Sequence, residues 1–117
     1  MVKKTVLVAD DQLWIMGTVI DKLKKTYKIE TVTNGNDAVD RIEKGGLDLI
    51  ILDNSMPPGP SGSYIAQQVI NNHPDIYVVL QSGDPDELRG LEELGIKVLD
   101  KFDKQEIIKY VKDTLKK

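Results

Sequence analysis

The sequence predicts a doubly wound α/β fold, with a five-stranded parallel sheet in the order 2-1-3-4-5 and helices on both faces. Five short apolar runs alternate with amphipathic stretches along the 117 residues. Repeated βα units with right-handed crossovers form a parallel sheet, and five strands suit this flavodoxin-like order. The chain shows no linker, internal repeat or low-complexity segment, so we expect one domain over residues 1–117.

The predicted strands are brief and mostly β-branched or Leu-rich, as is typical of strands covered on both faces. They are Thr5–Ala9, Ile29–Val32, Leu47–Leu52, Ile76–Leu80 and Ile96–Leu99. Asn34-Gly35 is formally a hairpin signal, but helical periodicity follows it. We therefore interpret it as a strand-to-helix turn.

Helical periodicity and start signals fill the segments between strands. Leu13–Lys25 places Ile15, Val19, Ile20 and Leu23 on one helical face, and Asn36–Lys44 does the same with Val39 and Ile42. Two later helices begin with a capping aspartate and a nearby Glu, in the sequences Asp84-Pro85-Asp86-Glu87 and Asp103-Lys104-Gln105-Glu106. The whole pattern is five βα units.

Composition excludes several classes of function. The formal net charge is -3 and the 16 Lys and Arg residues are scattered or gathered at the ends, which argues against direct nucleic-acid binding. There is no Cys, which excludes disulfides, Cys-based zinc sites and thiol nucleophiles. The first apolar run is too short for a signal peptide or a membrane anchor, so a cytoplasmic protein without membrane contact is expected.

Polar residues follow the predicted strands at one edge of the sheet. The carboxyl ends of parallel strands share one edge, and ligands bind there, where the strand order reverses. Asp10-Asp11, Asp53, Gln81-Ser82-Gly83 and Asp100-Lys101 follow the first, third, fourth and fifth strands. We therefore expect these residues to form one site.

Three neighbouring carboxylates repel one another unless a cation neutralises them. Mg²⁺ suits such oxygen ligands and commonly pairs carboxylates with phosphate oxygens, and Mn²⁺ is an alternative ion. Lys101 and the Ser82 hydroxyl are then candidates to contact a phosphoryl oxygen. A carboxylate such as Asp53 can act as a nucleophile and form an aspartyl phosphate.

This set of residues resembles the receiver domains of two-component response regulators, among them the single-domain chemotaxis regulator. The resemblance covers essentially the whole chain. It depends on five matches in order: Asp10-Asp11 after the first strand, Asp53 after the third, Met56-Pro57 just beyond it, Ser82 after the fourth and Lys101 after the fifth.

The resemblance implies that Asp53 accepts a phosphoryl group from a histidine kinase or phosphotransfer protein. Asp11, Asp53 and the Ser55 main-chain carbonyl would hold Mg²⁺, and Asp10 would assist through water. Ser82 and Lys101 would contact the phosphoryl group. The domain would catalyse only its own phosphorylation and dephosphorylation, acting as a signalling module. Its output would pass to an unknown effector through the helix near Asp84, the last strand and the last helix.

The chain departs from the family pattern around these residues. Phe102 replaces the Pro that usually follows the Lys, which predicts a trans peptide and a different loop path. Val98 replaces the usual switch aromatic. The loop Pro57–Gly62 is one residue longer than usual, and the segment from Ser82 to Lys101 is short, which predicts a reduced helix there.

Two alternatives remain at this point. A degenerate receiver would bind a partner without phosphorylation, as Val98 and Phe102 suggest. A phosphatase of the haloacid-dehalogenase kind would also use an Asp nucleophile and Mg²⁺, but it requires a second Asp two residues later, where Ser55 stands. Trp14 and Met16, beside the core stripe of the first helix, are candidates either for packing or for an exposed patch that docks a partner.

Overall fold

The computed structural model describes residues 3–116. Its five strands are β1 (Thr5–Ala9), β2 (Lys28–Val32), β3 (Leu49–Asp53), β4 (Tyr77–Ser82) and β5 (Lys97–Asp100). All strand pairs are parallel and the order is β2-β1-β3-β4-β5. The predicted fold class is confirmed, and the predicted strand bounds are right to within two residues.

Within residues 3–116, four α-helices and two 3-10 segments lie between the strands or follow β5. The helices are α1 (Gly17–Leu23), α2 (Gly35–Glu43), α3 (Gly62–Asn72) and α4 (Lys104–Leu115). The 3-10 segments are Leu13–Met16 and Pro85–Leu94. Among residues 3–116, no helix is both long and apolar enough to cross a bilayer.

The two faces of the sheet carry separate apolar cores. Val6, Val8, Ile51 and Val79 face α1 and α4, while their strand neighbours, such as Leu7, face α2 and α3. This alternation follows from the two-residue period of a strand, and β3 is buried along its whole length because both faces are covered. Because this alternation continues past the strand ends, it determines on which side of the sheet each residue just beyond a strand lies.

The prediction of an α-helix from Leu13 onward is wrong for its first turn. Leu13–Met16 is a 3-10 turn that precedes α1, and Gly17, a weak helix former, stands at the junction. With three residues per turn, Leu13 and Met16 share a face, so Met16 is fully buried whereas Ile15 is partly exposed. Val19 and Leu23 are buried as predicted.

The predicted helix near Asp84 forms as a 3-10 segment, without a side-chain cap from Asp84. Its leucines, Leu88, Leu91 and Leu94, recur every three residues, which matches the 3-10 repeat, and the first two pack against the core. Gly90 further disfavours an α-helix. The prediction that this helix is reduced is confirmed.

Two other predicted helix starts are confirmed. Asn34 caps α2, since its Oδ1 accepts from the Asp37 N–H at 2.8 Å, so Asn34-Gly35 forms no hairpin. Asp103 caps α4 by accepting from the Glu106 N–H at 3.1 Å. Each cap satisfies a backbone donor that the helix leaves unpaired.

Candidate functional site

The site lies at the carboxyl edge of the sheet, at the ends of β1, β3, β4 and β5. Asp53 pairs with Gln81 on the neighbouring strand, and Gln81 pairs with Leu99, two residues before Lys101. Paired residues of parallel strands project to the same face. Asp53, Gln81 and Lys101 therefore lie on the side of the sheet covered by α1 and α4.

Three carboxylates converge at this edge. Asp10, Asp11 and Asp53 each offer one oxygen, and these oxygens lie within 4.8 Å of one another. Asp10 is fully buried, Asp53 is 8% exposed, and Asp11 is exposed. A hard divalent cation prefers such a set of oxygen ligands, one side of which faces solvent. The residues present therefore fit a Mg²⁺ ion.

Lys101 lies between the two buried carboxylates. Its Nζ is 3.1 Å from Asp10 Oδ2 and 3.4 Å from Asp53 Oδ2. Burial acts to lower the pKa of Lys101, but the hydrogen bonds and charges of Asp10 and Asp53 outweigh it and raise that pKa. The ammonium charge therefore offsets part of the negative charge of the cluster.

Burial raises the pKa of Asp53, and the neighbouring charge of Asp10 raises it further. Lys101 opposes both effects without cancelling them. The ionised Asp53 is therefore held in an unfavourable environment, which a further cation would relieve.

Asp10 has the most complete set of hydrogen bonds in the site. Its Oδ1 accepts from the Gln12 N–H at 2.8 Å, and its Oδ2 accepts from Gln81 Nε2 at 3.1 Å. Sequence reasoning placed Gln81 at the strand end but gave it no role. The available signal was its spacing, since Gln81 follows the buried Val79 by two residues and so shares its face.

Ser82 is near the end of β4, but its hydroxyl is engaged locally. Its Oγ accepts from the Asp84 N–H at 3.0 Å, and among residues 3–116 it makes no hydrogen bond to Asp53 or Lys101. This hydroxyl keeps its own proton for donation.

The loop after β3 packs against the start of α2. The Gly35 and Asn36 N–H groups donate to the carbonyls of Met56 and Pro58 at 2.8 and 3.2 Å. These loop carbonyls satisfy backbone donors that the helix leaves unpaired. Ser55 is exposed in this loop, and no backbone N–H of residues 3–116 donates to its carbonyl.

The loop after β5 runs through a trans peptide between Lys101 and Phe102, as predicted. The Phe102 ring is 64% exposed and lies beside Gly83, where an added Cβ would be 3.2 Å from its Cε2. Val98 is buried in the core. The trans loop still brings Lys101 to the carboxylates.

The two candidates for an exposed docking patch, Trp14 and Met16, differ in their exposure. Trp14 is 78% exposed, but Met16 is fully buried, and its Sδ accepts from Gln81 Nε2 at 3.2 Å. The hypothesis that Met16 contributes to an exposed patch is therefore wrong, for the 3-10 turn directs it into the core. Trp14 remains accessible.

Comparison with known proteins gives one family. The model of the response regulator receiver domain matches residues 6–112. Among solved structures, the response regulator DrrB of Thermotoga maritima, an OmpR/PhoB homologue, is 23% identical with a TM-score of 0.83. That alignment covers 99% of this chain and 54% of DrrB, so the chain spans about half of that protein.

Two shorter proteins match over nearly their whole length. TrrA of Thermotoga maritima, solved in complex with Mg²⁺-BeF, is 30% identical with a TM-score of 0.81, over 96% of this chain and 99% of TrrA. The chemotaxis protein CheY4 of Vibrio cholerae is 23% identical with a TM-score of 0.77, over 97% of this chain and 99% of CheY4.

Proposed function

This chain belongs to the response regulator receiver domains, which are signalling modules rather than classical enzymes, and we propose that Asp53 is its phosphoacceptor. The donor is the phosphohistidine of a partner histidine kinase or phosphotransfer protein, the usual partners of receiver domains. The proposal places the chain in the cytoplasm, as one domain over residues 1–117.

One observation carries this proposal. Asp53 lies within 4.8 Å of two other carboxylates and 3.4 Å from the ammonium group of Lys101. An Asp at a strand end with only a structural role does not require two neighbouring carboxylates and a lysine ammonium group. A carboxylate nucleophile beside a metal site and a cation is the arrangement that phosphoryl transfer uses.

In the proposed transfer, an Asp53 oxygen forms a bond to phosphorus as the bond from phosphorus to the histidine nitrogen breaks. The released imidazole takes up a proton from solvent. Lys101 Nζ, already 3.4 Å from Asp53 Oδ2, contacts an oxygen of the transferred group as a point charge. The Ser82 hydroxyl donates a hydrogen bond to another oxygen, since within residues 3–116 it accepts from the Asp84 N–H and its own proton has no acceptor.

Mg²⁺ would be held by Asp11, Asp53 and the Ser55 carbonyl, with Asp10 acting through water. The proximity of Asp10, Asp11 and Asp53 supports the carboxylates of this set, and the similar protein TrrA is described in complex with Mg²⁺-BeF. When bound, the ion supplies neutralisation of charge on the phosphoryl oxygens. The same oxygen ligands would also suit Mn²⁺.

The signal would leave through the surface formed by the 3-10 segment Pro85–Leu94, β5 and α4. Ser82 immediately precedes the turn into that segment. A hydroxyl that moves from the Asp84 N–H to a phosphoryl group would change this turn and shift a pre-existing equilibrium.

The test is intact mass spectrometry after incubation with acetyl phosphate and Mg²⁺. We expect one added phosphoryl group that hydroxylamine removes and that is lost in Asp53→Ala and in EDTA. Asp75→Ala, at an exposed aspartate before β4, is the matched control and keeps the adduct. An unmodified wild type that still binds Mg²⁺ would favour the phosphorylation-independent receiver, and steady release of phosphate from small esters would favour a phosphatase.

A further inference from the structure

Gln81 is a polar residue in the most buried part of the sheet. It is fully buried on β4, next to Leu80, which is also fully buried. Both amide hydrogens have acceptors, Asp10 Oδ2 at 3.1 Å and Met16 Sδ at 3.2 Å. Its Oε1 has no hydrogen-bond partner among residues 3–116.

Packing alone does not explain a Gln at this position. A buried carbonyl oxygen without a donor destabilises the folded state, and an apolar side chain of similar volume would avoid that cost. The orientation of the amide instead follows from the carboxylate, since an NH₂ group facing Asp10 attracts it and an oxygen there would repel it. The amide is therefore arranged around Asp10.

The Asp10 carboxylate accepts hydrogen bonds from three of the described groups, two of them neutral and one charged. Gln81 and the Gln12 N–H are neutral and fixed, whereas Lys101 is charged and is shared with Asp53. In the proposed phosphotransfer Lys101 turns toward a phosphoryl oxygen and weakens its contact with Asp10. Gln81 is then the remaining side-chain donor to that carboxylate.

We propose that Gln81 is a positioning residue that holds the Asp10 carboxylate in place for the metal while Lys101 serves the phosphoryl group. This inference rests on the proposed function of Asp53. Without Gln81, Asp10 would rotate toward Lys101, and the two would pair more closely. The affinity for Mg²⁺ would then fall, and Lys101 would be less available to contact the phosphoryl group.

Gln81→Met tests the inference, because Met has a similar volume but no donor. We expect the rate of Asp53 phosphorylation by acetyl phosphate to fall about tenfold and the dissociation constant for Mg²⁺ to rise by a similar factor, the usual scale for a residue that orients a metal ligand. Leu80→Met, on the same strand but facing the opposite core, is the matched control and should change neither. Thermal unfolding of both variants reports whether the fold is kept.

A double-mutant cycle separates positioning from packing. If Gln81 acts through Asp10, then adding Gln81→Met to Asp10→Asn should cost less than about twofold, because the carboxylate it holds is already gone. An equal tenfold loss in both backgrounds would mean a packing role and overturn the inference. Wild-type rate and Mg²⁺ affinity in Gln81→Met would overturn it as well.

The two proposals fail in different ways. If the wild type accepts no phosphoryl group, the proposed function fails, and the Mg²⁺ dissociation constants, measured by calorimetry on the same four proteins of the cycle, still decide the role of Gln81. If Gln81→Met loses its cooperative unfolding transition, Gln81→Leu replaces it in the cycle.

Discussion

The ammonium group of Lys101 lies 3.1 Å from Asp10 Oδ2, and the two side chains are only 8% and 0% exposed. A buried charge pair is costly to break because removal of one partner leaves the other charge without compensation. Asp53 depends on the same lysine, at 3.4 Å. Lys101 is therefore the protein's own counter-ion for both buried carboxylates before any metal or phosphoryl group binds.

Lys101→Met should destabilise the protein by about 3 kcal/mol, since it leaves Asp10 and Asp53 buried without their cation. Urea unfolding at pH 7 without metal measures this change, and added Mg²⁺ should recover part of it. Lys109→Met is the control, because Lys109 pairs with Asp113 on the solvent-exposed surface and its removal should leave the free energy of unfolding nearly unchanged. Similar losses in both variants would contradict the structural role of Lys101.

Asp53→Asn should stabilise the metal-free protein at pH 7. Burial and Asp10 raise the pKa of Asp53 in the folded state. The stability that a raised carboxyl pKa contributes is present below the unfolded pKa and is lost as the pH rises through the folded pKa. The neutral amide of the Asp53→Asn variant does not lose this stability. The difference in stability between the variant and the wild type should therefore shrink as the pH falls toward about 4. Unfolding of both proteins across this range checks the sign; an advantage that grows at low pH would refute it.

The fold and most of the site could be predicted because apolar periodicity marks the strands, and the residues directly after them occupy one edge of the sheet. That argument requires only the strand order, so Asp10, Asp11, Asp53 and Lys101 were placed together correctly.

The features that sequence reasoning missed depend on tertiary contacts. The burial of Met16 follows from a 3-10 turn whose face differs from that of an α-helix, and a Gly at the junction does not by itself specify that turn. The amide of Gln81 acquires a role only when the sheet register sets it beside Asp53 and Asp10. The loop carbonyls that cap α2 belong to a separate segment of chain.

Gly62→Ala should destabilise the fold by about 2 kcal/mol or more. A Cβ at Gly62 would lie 2.2 Å from the backbone oxygen of Asp53, so the start of α3 would have to move away from β3. Gly90→Ala is the control, because no atom of residues 3–116 outside its own 3-10 segment lies within 4 Å of its Cβ position, and Ala loses less conformational entropy than Gly in a helical segment. Denaturant unfolding of both variants measures the difference.

If Gly62→Ala is as stable as Gly90→Ala, the close approach of α3 to β3 would be contradicted. Phosphorylation of Gly62→Ala by acetyl phosphate should also be slower than that of Gly90→Ala, since the displaced backbone is that of Asp53 itself.

Mg²⁺ affinity should fall as the pH is lowered, because a carboxylate must be deprotonated to bind the metal and the pKa of Asp53 is raised. Below that pKa the decrease should approach about tenfold per pH unit for this one proton. Calorimetric titration with Mg²⁺ across pH 4 to 7, at constant ionic strength, measures it. Asp53→Asn should bind more weakly at pH 7 but lose this pH dependence, whereas Asp11→Asn should weaken binding and keep it. A pH dependence unchanged in Asp53→Asn would assign the titrating ligand to another carboxylate of the cluster. An unchanged affinity at pH 7 as well would remove Asp53 from the metal site.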